Sequence, residues 1–158
     1  METIETKRFL LRPFKMEDWP DVLELAIDWS KAPGPAVDKW PTAEEEVKSL
    51  TEYYAGDGRY YAVALKEAGR VVGLLALNGV DEHGQLDLGH VILAQYQDND
   101  HDREVISAMV DGCFKEDGIL SIVTRNAPDH AQQLAPLKAL GFTPLSETQQ
   151  GELVLHKK

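Results

Sequence analysis

The chain has 158 residues, 43% hydrophobic and 27% charged, as expected for one soluble globular domain with a buried core. A net charge of -11 argues against nucleic acid and anionic membrane surfaces as partners. A single cysteine, Cys113, excludes an internal disulfide and falls in an apolar helical pattern, as a packed thiol would. The opening Met1-Glu2-Thr3-Ile4-Glu5 lacks the basic start and apolar run of a signal peptide. No segment reaches membrane-spanning length, so a cytoplasmic location is expected.

In chain order, Phe9 to Phe14 is predicted as a first strand closed by Pro13, and Glu17 to Trp29 as a helix with Val22, Leu23, Ala26 and Ile27 on one face. Lys31 to Pro41 is a proline-rich loop. Thr42 with Glu45 has capping-box spacing and opens a second helix through Val47, Leu50 and Tyr54, stopped by Gly56 and Gly58. Tyr60 to Lys66 and Arg70 to Leu77 are predicted as a hairpin about Glu67-Ala68-Gly69, and Gln85 to Leu93 as the next strand after the turn Asp81-Glu82-His83-Gly84. An acidic turn, Gln95 to Asp102, leads to a helix over Glu104 to Phe114 with Val105, Met109 and Cys113 on one side. Ile119 to Thr124 is a buried strand. A last helix follows, capped by Asp129, kinked or shortened by Pro136 and closed by Gly141. Leu153 to His156 is the final strand.

Several segments resemble the GNAT family of N-acyltransferases, most of all its branch that acetylates ribosomal-protein N-termini and small amines. Thr6-Lys7-Arg8-Phe9-Leu10-Leu11-Arg12-Pro13 resembles the family's opening strand, and Met16-Glu17-Asp18 the entry to its first helix. Gly69-Arg70-Val71-Val72-Gly73 is similar to its hairpin, Leu88-Gly89-His90 to its central strand, and Asn126 with Gly141-Phe142 to elements near its end. The resemblance implies an α/β (α+β) domain over residues 1–158, with a mixed, mostly antiparallel central sheet flanked by helices. It implies acetyl-CoA as cofactor and a small-molecule or peptide amine as acceptor, and it admits a homodimer.

The family's diphosphate-binding turn, Q/R-x-x-G-x-G/A, aligns with Gln95-Tyr96-Gln97-Asp98-Asn99-Asp100, with Glu104 matching a glutamate in the next helix. Both glycines are aspartate here. Glycine lets backbone N–H groups approach an anion, whereas an aspartate adds bulk and like charge. Asp100 or Asp102 can instead cap the following helix and take those amides. Asp98, Asp100 and Asp102 alternate as at the start of an EF-hand, but Arg103 and Met109 stand where that loop needs glycine and glutamate. No zinc-type ligand cluster is present, and no metal is assigned.

By resemblance, Val91, Leu93, Gln95, Gln97, Asp98, Asn99, Asp100 and Asn126 are the cofactor-binding candidates, the backbone of Val91 to Leu93 supplying the donor for the thioester carbonyl. Asp87 stands where relatives often carry a glutamate and is the candidate base. His90, on the other face by strand alternation, and His130 are candidate acids or bases. The tyrosine that many relatives use as general acid has no counterpart after Tyr96. Trp29 and Trp40 lie in the region that forms a wall of the acceptor cleft in this fold, Trp40 being the more exposed by expectation. Glu44-Glu45-Glu46 is either a solvated helix start or part of an acidic cleft for a cationic amine. Two functions stay open: an acetyltransferase, and a non-catalytic domain that keeps the fold without the cofactor.

Overall fold

Three apolar runs build the middle of the molecule: Ala62 to Ala64, Val71 to Ala76, and Leu86 to Leu93, whose larger side chains are almost wholly buried. In the computed structural model, which describes residues 2–158, they fall on three neighbouring strands of one eight-stranded sheet. The strands are β1 (Ile4–Glu5), β2 (Phe9–Arg12), β3 (Tyr60–Leu65), β4 (Val71–Val80), β5 (Gln85–Ile92), β6 (Ser121–Arg125), β7 (Thr143–Ser146) and β8 (Gln149–His156). Their order is β1-β2-β3-β4-β5-β6-β8-β7, and every neighbouring pair is antiparallel except β5 and β6. Four helices flank the sheet: α1 (Trp19–Ser30), α2 (Glu44–Ala55), α3 (His101–Phe114) and α4 (Ala131–Ala139). Helix α1 packs on α2, β4 and β5, and α3 packs on α4 and β1.

The parallel pair positions the site. Strands β5 and β6 pair only at Gln85↔Ser121, Leu86↔Ile122 and Asp87↔Val123. Beyond Asp87, β5 stays with β4 as far as Gly73↔Ile92, while β6 continues beside β8 to Arg125↔Glu152. The sheet therefore parts into a V whose arms end at Ile92 and Arg125.

Local chemistry explains most boundaries. Arg12 closes β2 with a two-pronged ion pair to buried Asp18, 2.9 Å at each prong, and Asp18 also accepts the Lys15 N–H at 2.8 Å. That clamp ends the strand at Arg12 rather than Phe14. Pro20 sits in the first turn of α1, where its missing N–H costs nothing. Gly141, at φ +99°, follows α4 in a Schellman closure: its N–H reaches the Lys138 carbonyl and the Phe142 N–H reaches that of Leu137.

Other expectations are corrected. Ala43, not Thr42, precedes α2, and no side chain caps it; three glutamates in the first turn favour the dipole instead. His130, not Asp129, precedes α4, again without a side-chain cap, and the helix runs through Pro136 to Ala139. Helix α3 begins three residues early, at His101. Strand β4 extends to Val80, and β8 starts at Gln149, paired with the unanticipated edge strand β7.

Candidate active site

Backbone donors come first. The Leu93 N–H bonds the Val72 carbonyl at 2.9 Å. In an antiparallel ladder the residues that bond a given neighbour alternate. The Val91 and Gly89 amides therefore also face β4. The Leu88 amide faces β6 where the two strands still pair, at Asp87↔Val123, and those of His90 and Ile92 face the parting beyond it. The strand amides open to the parting are thus those of His90 and Ile92, whereas those of the candidates Val91 and Leu93 face β4. Gln95 and Gln97 lie beyond the strand, Gln95 exposed and Gln97 half-buried on the turn.

Side chains bridge the V. His90 is 7% exposed, and its Nε2 lies 3.0 Å from Asn126 Oδ1, past the end of β6. Burial drives the His90 pKa down to about 4, so the ring is neutral near pH 7. Asn126 Nδ2 donates to Thr124 Oγ1 and to the Gly151 carbonyl, both at 3.0 Å. Both amide protons are therefore taken within the chain, and Asn126 has none to offer a cofactor. From α4, Gln133 Nε2 donates to the His90 carbonyl at 3.3 Å. Gln133 Oε1 and His130 Nδ1 are buried, and the two side chains lie against each other. Burial also lowers the His130 pKa, and its ring stacks on Trp29 with centroids 6.4 Å apart.

A cleft of about 680 Å³ opens on this seam, lined by Trp29, Trp40, Tyr54, Tyr60, Asp87 and His90 among others. Trp40 is half-buried rather than exposed, with its ring edge toward Tyr54 at 6.0 Å. Lys39 Nζ lies 3.8 Å from the Trp29 ring centroid and donates to the carbonyls of Ala32 and Pro33. Asp87 accepts from Arg125 Nε at 3.2 Å, and Arg125 also pairs with Glu152. The candidate base is thus tied to a cation. Trp29 and Trp40, on separate elements, meet Asp87 and His90 in one cleft.

The acidic turn is closed on itself. Asn99, at φ +61°, turns the chain so that the Asp98 carboxylate accepts the N–H groups of Asp100 (3.0 Å) and His101 (2.8 Å). The other Asp98 oxygen takes His101 Nδ1 at 2.6 Å. Burial would raise the Asp98 pKa, but these bonds outweigh it and hold the carboxyl below its ordinary value. The side chain that takes the first helix amide, at His101, is therefore Asp98; Asp100 occupies the N-cap position without a side-chain bond to the helix. Asp100 turns away to Arg8, with bonds of 3.0 and 3.1 Å. Asp102 is buried, accepts the Arg103 N–H at 3.0 Å, and is pushed up to about 6 by burial. Glu104 accepts from Thr6 Oγ1, the Arg8 N–H and Arg8 Nε at 2.6–2.8 Å, fastening α3 to the β1–β2 turn. The three aspartates face three different sets of partners. Among the described residues no cluster of His, Cys, Asp or Glu is arranged to hold a metal.

A mostly antiparallel sheet that parts at its one parallel pair, with free strand amides in the parting, defines the acyl-CoA N-acyltransferase fold. The family model for the acetyltransferase (GNAT) domain matches residues 8–143, and the chain belongs to that family. An uncharacterized N-acetyltransferase of Bacillus subtilis, YnaD, is 24% identical over 140 residues, covering 88% of this chain and 81% of that one. A GNAT-family acetyltransferase from Bacillus anthracis superposes with TM-score 0.82 over 98% of both chains at 16% identity. Mycobacterium smegmatis RimJ, solved with CoA-disulfide, superposes with TM-score 0.76 over 98% of this chain and 87% of that one, at 15% identity.

Sequence reasoning missed Gln133, Arg125 and Glu152. Gln133 meets a backbone carbonyl 43 positions away, and no local pattern marks such a contact. Arg125 and Glu152 are a direct pair of the β6–β8 ladder, visible once that register is known.

Proposed function

We propose that this chain is an N-acetyltransferase that grips acetyl-CoA by its thioester arm more than by its diphosphate, and passes the acetyl group to a small-molecule or peptide amine. The observation that carries this reading is the open edge of β5, where the His90 and Ile92 amides face the gap left by β6. Those amides suit the oxygen of a thioester carbonyl, which gains charge as an amine attacks.

The turn before α3 does not fit a diphosphate. Its amides at 100 and 101 already bond Asp98. Two unit charges about 6 Å apart repel by roughly 3 kcal/mol at an effective dielectric of 20. A diphosphate at this turn would meet Asp98 and Asp100 and displace the cap. The alternative, a non-catalytic binding domain, is favoured by this same self-occupied turn.

Calorimetric titration with acetyl-CoA and with S-acetylpantetheine, which lacks the nucleotide diphosphate, separates the two. Affinities for the two within about threefold, under 1 kcal/mol, are expected. Replacing Asp98 and Asp100 together by glycine is expected to tighten acetyl-CoA and leave S-acetylpantetheine unchanged. Binding of neither thioester at millimolar concentration overturns the proposal in favour of the non-catalytic domain.

A further inference from the structure

We infer that Asn126 fixes His90 as its Nε2–H tautomer, leaving Nδ1 as the unprotonated nitrogen that accepts a hydrogen bond from an ammonium or amine in the cleft. Gly151 sets the orientation of the Asn126 amide. A peptide carbonyl oxygen only accepts, so the Asn126 atom 3.0 Å from it is the NH₂ group. The second proton of that group goes to Thr124 Oγ1. The orientation of the amide is thus set by chemistry, and the atom facing His90 is Oδ1. An amide oxygen cannot donate, so His90 Nε2 carries the proton across the 3.0 Å contact. A neutral imidazole has one N–H, which leaves Nδ1 with its lone pair. Among the described residues no side chain or backbone group hydrogen-bonds Nδ1.

Gly151 is built for this. A Cβ there would overlap the Asn126 carbonyl, and the Asn126 N–H bonds the Gly151 carbonyl at 2.8 Å. Strand β8 thus approaches the end of β6 closely enough to orient the amide. Thr124, 0% exposed, supplies the second acceptor. Asn126 is on this reading a positioning residue.

The groups around His90 are His130 and Gln133 from the start of α4, and Asp87, Arg125, Glu152 and Asp129 along the same cleft. Burial first, and then the neighbouring His130, disfavour a charged ring. The neutral tautomer therefore persists across the ordinary working range of pH.

The geometry of the tautomer stands apart from the acetyltransferase reading; its use toward an amine rests on it. Two-bond ¹H–¹⁵N spectra of the ¹⁵N-labelled protein test both. The His90 signals are assigned by their loss in His90→Phe. One protonated-type nitrogen at Nε2 and one pyridine-type nitrogen at Nδ1 are expected from pH 8 to 5. In Asn126→Ala the two signals are expected to move toward an averaged pair. Ethylammonium chloride, added at millimolar concentration, is expected to shift Nδ1 and leave Nε2 in place. A proton on Nδ1, or an averaged pair in the unaltered protein, overturns the inference, and needs no variant to fold. An ethylammonium titration that leaves Nδ1 unmoved overturns the amine role. Failure of both thioesters to bind would sink the acetyltransferase reading while leaving the tautomer result intact.

Discussion

Asp102 is 2% exposed, and burial holds its carboxyl at about 6 rather than its ordinary 3.8. A carboxyl with a raised folded pKa penalises the fold once it ionises. The penalty is absent below the unfolded value and grows as pH rises through the folded one. Asp102→Asn keeps an oxygen for the Arg103 amide and removes that charge. The variant is expected to be more stable than the parent at pH 8, by up to about 3 kcal/mol. The gain should close by about pH 4, read from urea melts across pH. Gly151→Ala should act in the opposite direction, at a cost of about 1–3 kcal/mol, because the added methyl meets backbone that cannot swing aside. A Tm equal to the parent's would show that β8 can yield there. Gly151 illustrates what a sequence conceals. Nothing in Gln150-Gly151-Glu152 announces a close approach to residue 126, because the approach exists only after two strands pair. The left-handed closure at Gly141, by contrast, was legible from local chemistry alone.

At the scale of elements, α3 is tied at its first turn by hydrogen bonds to charged side chains. Glu104 ties it to Thr6 and Arg8, while Asp100 adds an exposed pair to the same arginine. Glu104→Ala should cost about 2 kcal/mol, since hydrogen bonds to a partly buried carboxylate are lost from three donors. Asp100→Ala should cost under about 1 kcal/mol, as exposed pairs do. Equal costs by chemical denaturation would contradict the ranking. Helices and hairpins were legible where apolar period and turn residues agree, as in β3, β4 and α1. Strand β7 was not, because Thr143-Pro144-Leu145-Ser146 is short, exposed and contains proline, which only an edge strand tolerates. Asp100 or Asp102 was expected to cap α3, whereas Asp98 takes its first amide and Asp102 only that of Arg103. Reading it correctly needed the positive φ of Asn99, which carries the Asp98 side chain back over the helix start.

For the whole molecule, two buried groups set opposing slopes in the same acidic window. His90, depressed from 6.5 to about 4, favours the fold when neutral. Its contribution is complete above the unfolded value and is lost as pH falls toward 4. Asp102 works in the other sense between about 6 and 3.8. Their shifts are similar in size, so the parent's stability should change little between pH 6 and 4 on their account. In His90→Phe the histidine slope is gone. Relative to the parent, that variant is expected to gain about 3 kcal/mol on going from pH 7 to pH 4. A constant difference between the two proteins would show that His90 titrates normally. The net charge of -11 was read from the sequence, and a mixed, mostly antiparallel sheet was implied by the family resemblance; the strand order and its one parallel pair were not legible. The parting of the sheet was not, since it is set by where β6 leaves β5 to follow β8.

That parting also gives β5 an uneven rhythm of hydrogen exchange. Along Gly89 to Leu93, every second amide is locked to β4 while those of His90 and Ile92 between them have no strand on their other side. Slow and fast deuterium uptake should therefore alternate residue by residue within a single, largely buried strand. A bound acyl thioester should slow the fast set and leave the slow set unchanged.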